Sequence, residues 1–177
     1  MNTTKTARRA ANASLPLAAA RCLCGAVELE VAVPVFWAWH DHSAATRRVH
    51  GAAYATYVGV WKSKVRVKKG EAQLAHYEDK EAGRVRGFCK RCGTPLTYER
   101  NHSPKMINIP RALFKGRTGR EPLYHIAIDE LQEWTYLGER LVPLKGYPGV
   151  VWTRPKNKRK KIATDDAAVL GLIDDTP

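Results

Sequence analysis

Four cysteines carry the first chemistry legible in this chain of 177 residues, and they come as two close pairs, Cys22 with Cys24 and Cys89 with Cys92. Thiolates at about 2.3 Å are strong zinc ligands, and four of them complete the tetrahedron of a structural site. The second pair, in CKRCG, has the CxxC spacing in which a tight turn aims both sulfurs at one point, while Gly93 lets backbone amides approach them. The first, in CLCG, has a CxC spacing that puts both side chains on one side of an extended backbone. Alone the first pair says little. Together the two describe one zinc site tying the start of a domain to a distant strand. Free buried cysteines, a redox CxxC and two disulfides are weaker readings of two such tight pairs.

Between the pairs lies HDHSAAT, His40 to Thr46. Two imidazoles and a carboxylate, with His50 close in sequence, are donors that suit zinc, nickel or iron. In a strand, however, His40 and His42 share a face and Asp41 points away, so convergence requires a turn. The plainer reading, and the one adopted, is a polar pocket wall of Asp41, His42, Ser43, Thr46 and Arg47. Arg47 and Arg48 follow directly and suit a carboxylate or phosphate, or else a solvated face. Ser43 beside His42 and Asp41 supplies the residue types of a hydrolytic triad, but sequence neighbours need not face one another. No nucleophile elbow, phosphate-cradling loop or HExxH occurs.

The elements that must position these residues read as strands. Val27, Leu29, Val31 and Val33 alternate with Glu28 and Glu30, the period of a half-buried strand starting just after CLCG. Val65 and Val67 alternate with Lys64, Arg66 and Lys68, and Lys69-Gly70 then turns the chain toward Leu74 and Tyr77, which predicts a hairpin. Short strands follow at Ala52 to Val60, Arg84 to Cys89, Leu96 to Glu99 and Met106 to Ile109, set apart by glycines, prolines and polar clusters. Helical turns are expected only at Ala44 to His50 and at Ile128 to Trp134, with Asp129 capping the latter. The spacing is that of an all-β domain. Trp37, Trp39, Trp61 and Trp134 have the chemistry to line a pocket or stack on bases but are read as core, and His76, His102 and His125 as ordinary.

One domain over residues 21–152 is expected, with a flexible tail at 1–20 and a second tail at 153–177 that is first basic and then acidic. No run approaches the roughly 20 apolar residues of a membrane span. The acid-free N-terminal segment resembles a transit sequence in composition but lacks the apolar core of a secretory signal. Reduced thiols suggest a cytoplasmic protein. Thirty basic against 17 acidic residues give +13, and residues 15–152 alone hold 21 and 13, a net of +8. Such a surface attracts acidic partners, small anions or nucleic acid without choosing among them. Arg154, Lys156, Lys158, Arg159, Lys160 and Lys161 form the densest basic block, a solvated tail or a contact for nucleic acid or an acidic partner.

The segments RCLCGAVELEV, GAAYATYVGV, GFCKRCGTPLTYE and EPLYHIAIDELQEW, in that order, resemble the glutathione-dependent formaldehyde-activating enzyme family, which includes centromere protein V. The resemblance runs from about Arg21 to Pro148. It implies an all-β, Mss4-like fold around a structural zinc on Cys22, Cys24, Cys89 and Cys92. It also implies a second, catalytic zinc on a CHCxxC motif, with glutathione beside it and formation of S-hydroxymethylglutathione as the reaction. That motif falls on DHSAAT: the histidine stands as His42, and the three cysteine positions read Asp41, Ser43 and Thr46. Hydroxyls are poor zinc donors in competition with water, so one structural zinc and no second metal is expected. The expected function is a zinc-binding member whose catalytic site is degenerate and whose cleft binds a ligand or partner. The alternatives are a carbon-sulfur lyase or other enzyme with an altered metal site, and a nucleic-acid-binding protein.

Overall fold

The structure, a computed structural model, describes residues 15–135 and 141–153. The basic block at 154–161 lies outside them. Twelve strands occur among the described residues: β1 (Leu17–Arg21), β2 (Glu28–Ala32), β3 (Trp37–Asp41), β4 (Ala55–Trp61), β5 (Val65–Lys69), β6 (Leu74–Asp79), β7 (Arg84–Cys89), β8 (Pro95–Arg100), β9 (Met106–Pro110), β10 (Tyr124–Ile126), β11 (Leu141–Pro143) and β12 (Val151–Thr153). A single α-helix, α1 (Ala44–His50), coincides with the helical turn expected there. The fold is all-β, with short 3-10 turns between strands.

Two sheets form. The smaller has the order β1-β2-β5, and the larger runs β11-β12-β10-β3-β4-β9-β8-β7-β6. Ala20, Val27, Leu29 and Val31 from the small sheet join Ala38, Val58, Val60, Leu96 and Ile109 from the large one in a single apolar cluster, so the sheets are held by a shared core. On the other face of the large sheet, Trp39, Ala55, Tyr57 and Tyr98 form a second, aromatic cluster.

Four expectations need correction. β1 begins at Leu17 and pairs along its length with β2, so ordered chain starts inside the segment read as a tail. The expected hairpin does not form: β5 pairs with β2, whereas β6 pairs with β7 in the other sheet. The cause sits at the turn. Gly70 has φ +77°, and a Cβ there would come within 1.9 Å of the Ala26 carbonyl oxygen, so only glycine lets the chain pass close to β2 and leave through a 3-10 turn at Glu71–Gln73. Glu28 and Glu30 are also buried, although they occupy the polar face of β2. Arg21 and Lys68 pair with Glu28, and Arg66 and Lys68 with Glu30, and their aliphatic stems cover the strand. Finally, the turn at Ile128–Glu130 is capped by Ala127 in a left-handed conformation, not by Asp129.

Trp39 is fully buried and Trp37 packs against it with a tilted ring, but Trp61 and Trp134 are 47% and 68% exposed. The latter two do not belong to the core.

Candidate functional site

β1 of the small sheet runs into Cys22 and Cys24, and β7 of the large sheet ends at Cys89, with Cys92 one turn later. The sulfurs meet. Cys22 Sγ lies 3.6 Å from Cys24 Sγ, which lies 3.9 Å from Cys89 Sγ, and all four fall within 4.8 Å of one another. A tetrahedron with metal–sulfur bonds of about 2.3 Å has edges of about 3.8 Å, so the four can hold one metal ion. Among the described residues this is the only group of three or more histidine, cysteine or acidic side chains so placed.

Thr94, which carries no local signal in the sequence, braces both knuckles. Its hydroxyl lies 3.1 Å from Cys92 Sγ and accepts from the Leu23 amide at 3.1 Å, while the Val27 amide donates to Cys22 Sγ at 3.2 Å. Ionisation inside the cluster is uneven. The Thr94 hydroxyl, then the Thr94 amide, draws Cys92 down to about 5. Against the Ala26 amide, the largest single influence and a lowering one, desolvation and the three neighbouring thiols together push Cys24 up to about 11. Four thiolates this close repel one another unless a cation stands among them, which is what the donor set of a divalent metal requires.

The altered segment opens α1 and is organised as a helix start. Asp41 closes β3, is buried, and accepts from the Ser43 amide at 2.9 Å. Ser43 is the N-cap, its hydroxyl accepting from the Thr46 amide at 3.3 Å. Thr46 is fully buried. From across the fold the Glu130 carboxylate accepts from the Ala44 amide at 2.6 Å, and it complements the positive end of the helix. Arg47 donates to the carbonyls of His42 and Glu130, the latter at 2.7 Å, so it works as a strut between α1 and the Ile128–Glu130 turn. Arg48 is exposed.

The histidines sort differently from their order in sequence. β10 runs parallel to β3 with His125 opposite His40, and His42, just past the end of β3, places Nε2 at 2.9 Å from His125 Nδ1. His125 is therefore no ordinary surface residue. His40 binds the Thr56 hydroxyl at 2.9 Å, and the rings of His40 and His42 both lie against Tyr54. His50 turns away to the Tyr57 hydroxyl at 2.8 Å. Asp41, His42 and His50 do not converge.

A family model described as glutathione-dependent formaldehyde-activating enzyme matches residues 17–130. This chain belongs to that family. Family proteins bind zinc, and the four cysteines supply one site of the right donor type. A crystal structure of a Rhodobacter sphaeroides protein is 25% identical, covers 59% of this chain and 97% of its own, and superposes with a TM-score of 0.49. No curated protein matches the chain. No helix among the described residues is long and apolar enough to cross a membrane.

In this member of the formaldehyde-activating family, a cleft of about 270 Å³ lies between α1 and the β6-β7-β8 end of the large sheet, lined among others by Val49, Tyr57, Tyr77, Arg86 and Thr97. Arg86 stacks on Tyr98 at 4.3 Å and donates to the Tyr57 hydroxyl at 3.3 Å. No acidic side chain pairs with it among the described residues. Burial, opposed by Arg86, pushes Tyr57 up to about 12, and burial followed by the Arg86 charge holds His50 below its ordinary value. The wall of the cleft thus carries a half-buried cation beside the neutral Tyr57 hydroxyl, with His50 bonded behind it.

Proposed function

We propose that this protein is a zinc-stabilised member of the formaldehyde-activating family that does not perform the family reaction and holds a small anion in the cleft beside Arg86. The observation that carries the first half is the use of the altered segment. Asp41 and Ser43 are committed to the start of α1 and Thr46 to its buried face, so the positions aligned with the catalytic cysteines support a helix. Neutral hydroxyls would in any case hold zinc poorly. Purified protein is expected to contain one zinc per chain by elemental analysis and native mass spectrometry, and to leave the rate of formaldehyde consumption in the presence of glutathione at its uncatalysed value. Either a second equivalent of metal or an acceleration above background would overturn the reading.

The second half rests on Arg86, a cation with no acidic partner among the described residues, in a mostly apolar cleft. Charge-assisted hydrogen bonds to a guanidinium contribute about 1.5–3 kcal/mol, so Arg86→Met is expected to weaken glutathione or benzoate binding by roughly tenfold or more in calorimetric titrations. Equal affinities for the variant and the parent protein would place the anion elsewhere. Phe88 and Pro95 line the apolar part of the same cleft, which suits a ligand with a short hydrophobic body next to its charge.

A further inference from the structure

Trp61 closes β4 with 47% of its surface exposed, and the less exposed Phe36, at 38%, stacks on it with ring centres 5.2 Å apart and planes 21° apart. Large aromatic side chains are usually buried, so a stacked pair facing solvent needs a reason. The pair is built in. Gly59 on β4 has no side chain, and a Cβ there would lie 3.2 Å from the Phe36 ring, so the glycine lets Phe36 settle onto the strand beside Trp61.

Cations surround this platform. The Lys62 amide donates to the Lys105 carbonyl at 2.9 Å, which brings the Lys62–Lys64 turn against the loop before β9, directly beside Trp61. On the Phe36 side, the Val35 amide donates to the Thr118 carbonyl at 2.9 Å and Gly119 lies against Pro34, which brings the backbone of the exposed Arg117 and Arg120 to the segment that carries the second ring. The sequence segments from which these cations come, residues 42–70 and 101–120, contain twelve basic residues and not one acid, although Arg66 and Lys68 among them are paired with Glu30 and Glu28 of β2. Glu99 reaches the group from β8 and is paired with Lys62, which leaves Lys64, Lys105, Arg117 and Arg120 without an ion pair among the described residues.

We infer that the Phe36–Trp61 stack and its ring of lysines and arginines form a binding surface for single-stranded nucleic acid. An unpaired base stacks on Trp61 while the neighbouring phosphates lie along Lys64, Lys105, Arg117 and Arg120. A duplex has no free base face to offer, and an acidic peptide matches the charge but not the stack, so the aromatic pair selects the single strand. Ring faces accept any base, and recognition is therefore tolerant of sequence.

The test is fluorescence anisotropy of the full chain with labelled twelve-residue oligo(dT) and oligo(U), across a salt series, against a duplex of equal length and polyglutamate. Trp61→Ala and Phe36→Ala should each weaken single-strand binding by roughly tenfold or more and leave the salt dependence unchanged. The pair Lys64→Ala with Arg120→Ala should instead make the slope of log affinity against log salt shallower by about 1.4. Trp61→Phe should retain most of the affinity, and melting curves would confirm that the exposed sites tolerate substitution. Wild-type affinity in both alanine variants, equal or tighter binding of the duplex or of polyglutamate, or no binding of single strands at low salt would each overturn the inference. The first would assign any nucleic-acid affinity to other parts of the basic chain, such as residues 154–161.

Discussion

Cys89→Ser is expected to leave the chain without metal and without a cooperative unfolding transition. Cys89 is fully buried at the end of β7, and its sulfur faces Cys24, which lies 65 residues earlier and follows β1. The cluster therefore joins the small sheet to the large one, and among the described residues no strand of one sheet pairs with a strand of the other. A structural zinc contributes on the order of 10–16 kcal/mol in small metal-folded domains, whereas a whole domain has about 5–15 kcal/mol of net stability. Losing one of four ligands at a buried position is thus comparable to the entire stability of the fold. Cys24→Ser is the milder comparison, because Cys24 is exposed and a serine or water can approach the ion there. The two variants would be compared by circular dichroism, urea unfolding and metal content, with a chelator applied to the parent protein. A folded Cys89→Ser protein with the parent's midpoint and one bound zinc would mean that the four thiols are not the ligands.

How much of this was legible beforehand depends on how local the signal was. The cysteine pairs announce themselves through spacing alone, and the structure gathers all four. The helix at Ala44 to His50 was also readable, because Ser43, Gly51 and the basic last turn are local start and stop signals. β4, β7, β8 and β9 lie within a few residues of the runs that predicted them, since hydrophobic alternation is a property of the strand itself. What failed was pairing. Val65 to Tyr77 reads as a hairpin because short connections usually join neighbours, and nothing local reveals that Gly70 must clear the Ala26 carbonyl. His125 was invisible for the same reason: its partner His42 is 83 residues away and is reached only through the parallel pairing of β10 with β3. Residue type was no guide to the exposure of Trp61 either, because a tryptophan at a strand end takes its environment from loops that come from elsewhere in the chain.

The buried His42–His125 pair should make the protein lose stability as pH falls from about 6.5 toward 4. Burial is the main cause, and the positive field of His40, joined at His42 by that of Arg47 against the opposing Asp41, adds to it; both imidazoles are held at about 4 rather than 6.5. One ring donates its N–H to the other across 2.9 Å, an arrangement that requires at least one neutral partner. The sign follows from proton counting. Between pH 6.5 and 4 the unfolded histidines take up protons that the folded ones refuse, so acid favours the unfolded chain, and below about 4 both states are protonated and the loss levels off. With exposures of 0% and 5% there is little solvent screening, and acidification from neutral pH to about 4 costs up to about 3 kcal/mol of stability per histidine. Glu28 and Glu30 act in a separate, lower window. Hydrogen bonds from Arg21 to Glu28, and from Lys68 and Arg66 to Glu30, lower their pKa values, so their share disappears only as pH falls below about 4.5. Urea unfolding between pH 7.5 and 5 therefore isolates the histidines from the glutamates, and His125→Asn isolates them from proton uptake at the cysteines, because that variant keeps a hydrogen-bonding side chain and leaves the metal cluster untouched. The drop in unfolding free energy should shrink in His125→Asn by that residue's share. An undiminished drop would assign the acid sensitivity to the thiolates or to His40 and His50, which burial also holds below their ordinary value, and a flat profile in the parent protein would mean that the two rings accept protons as readily folded as unfolded.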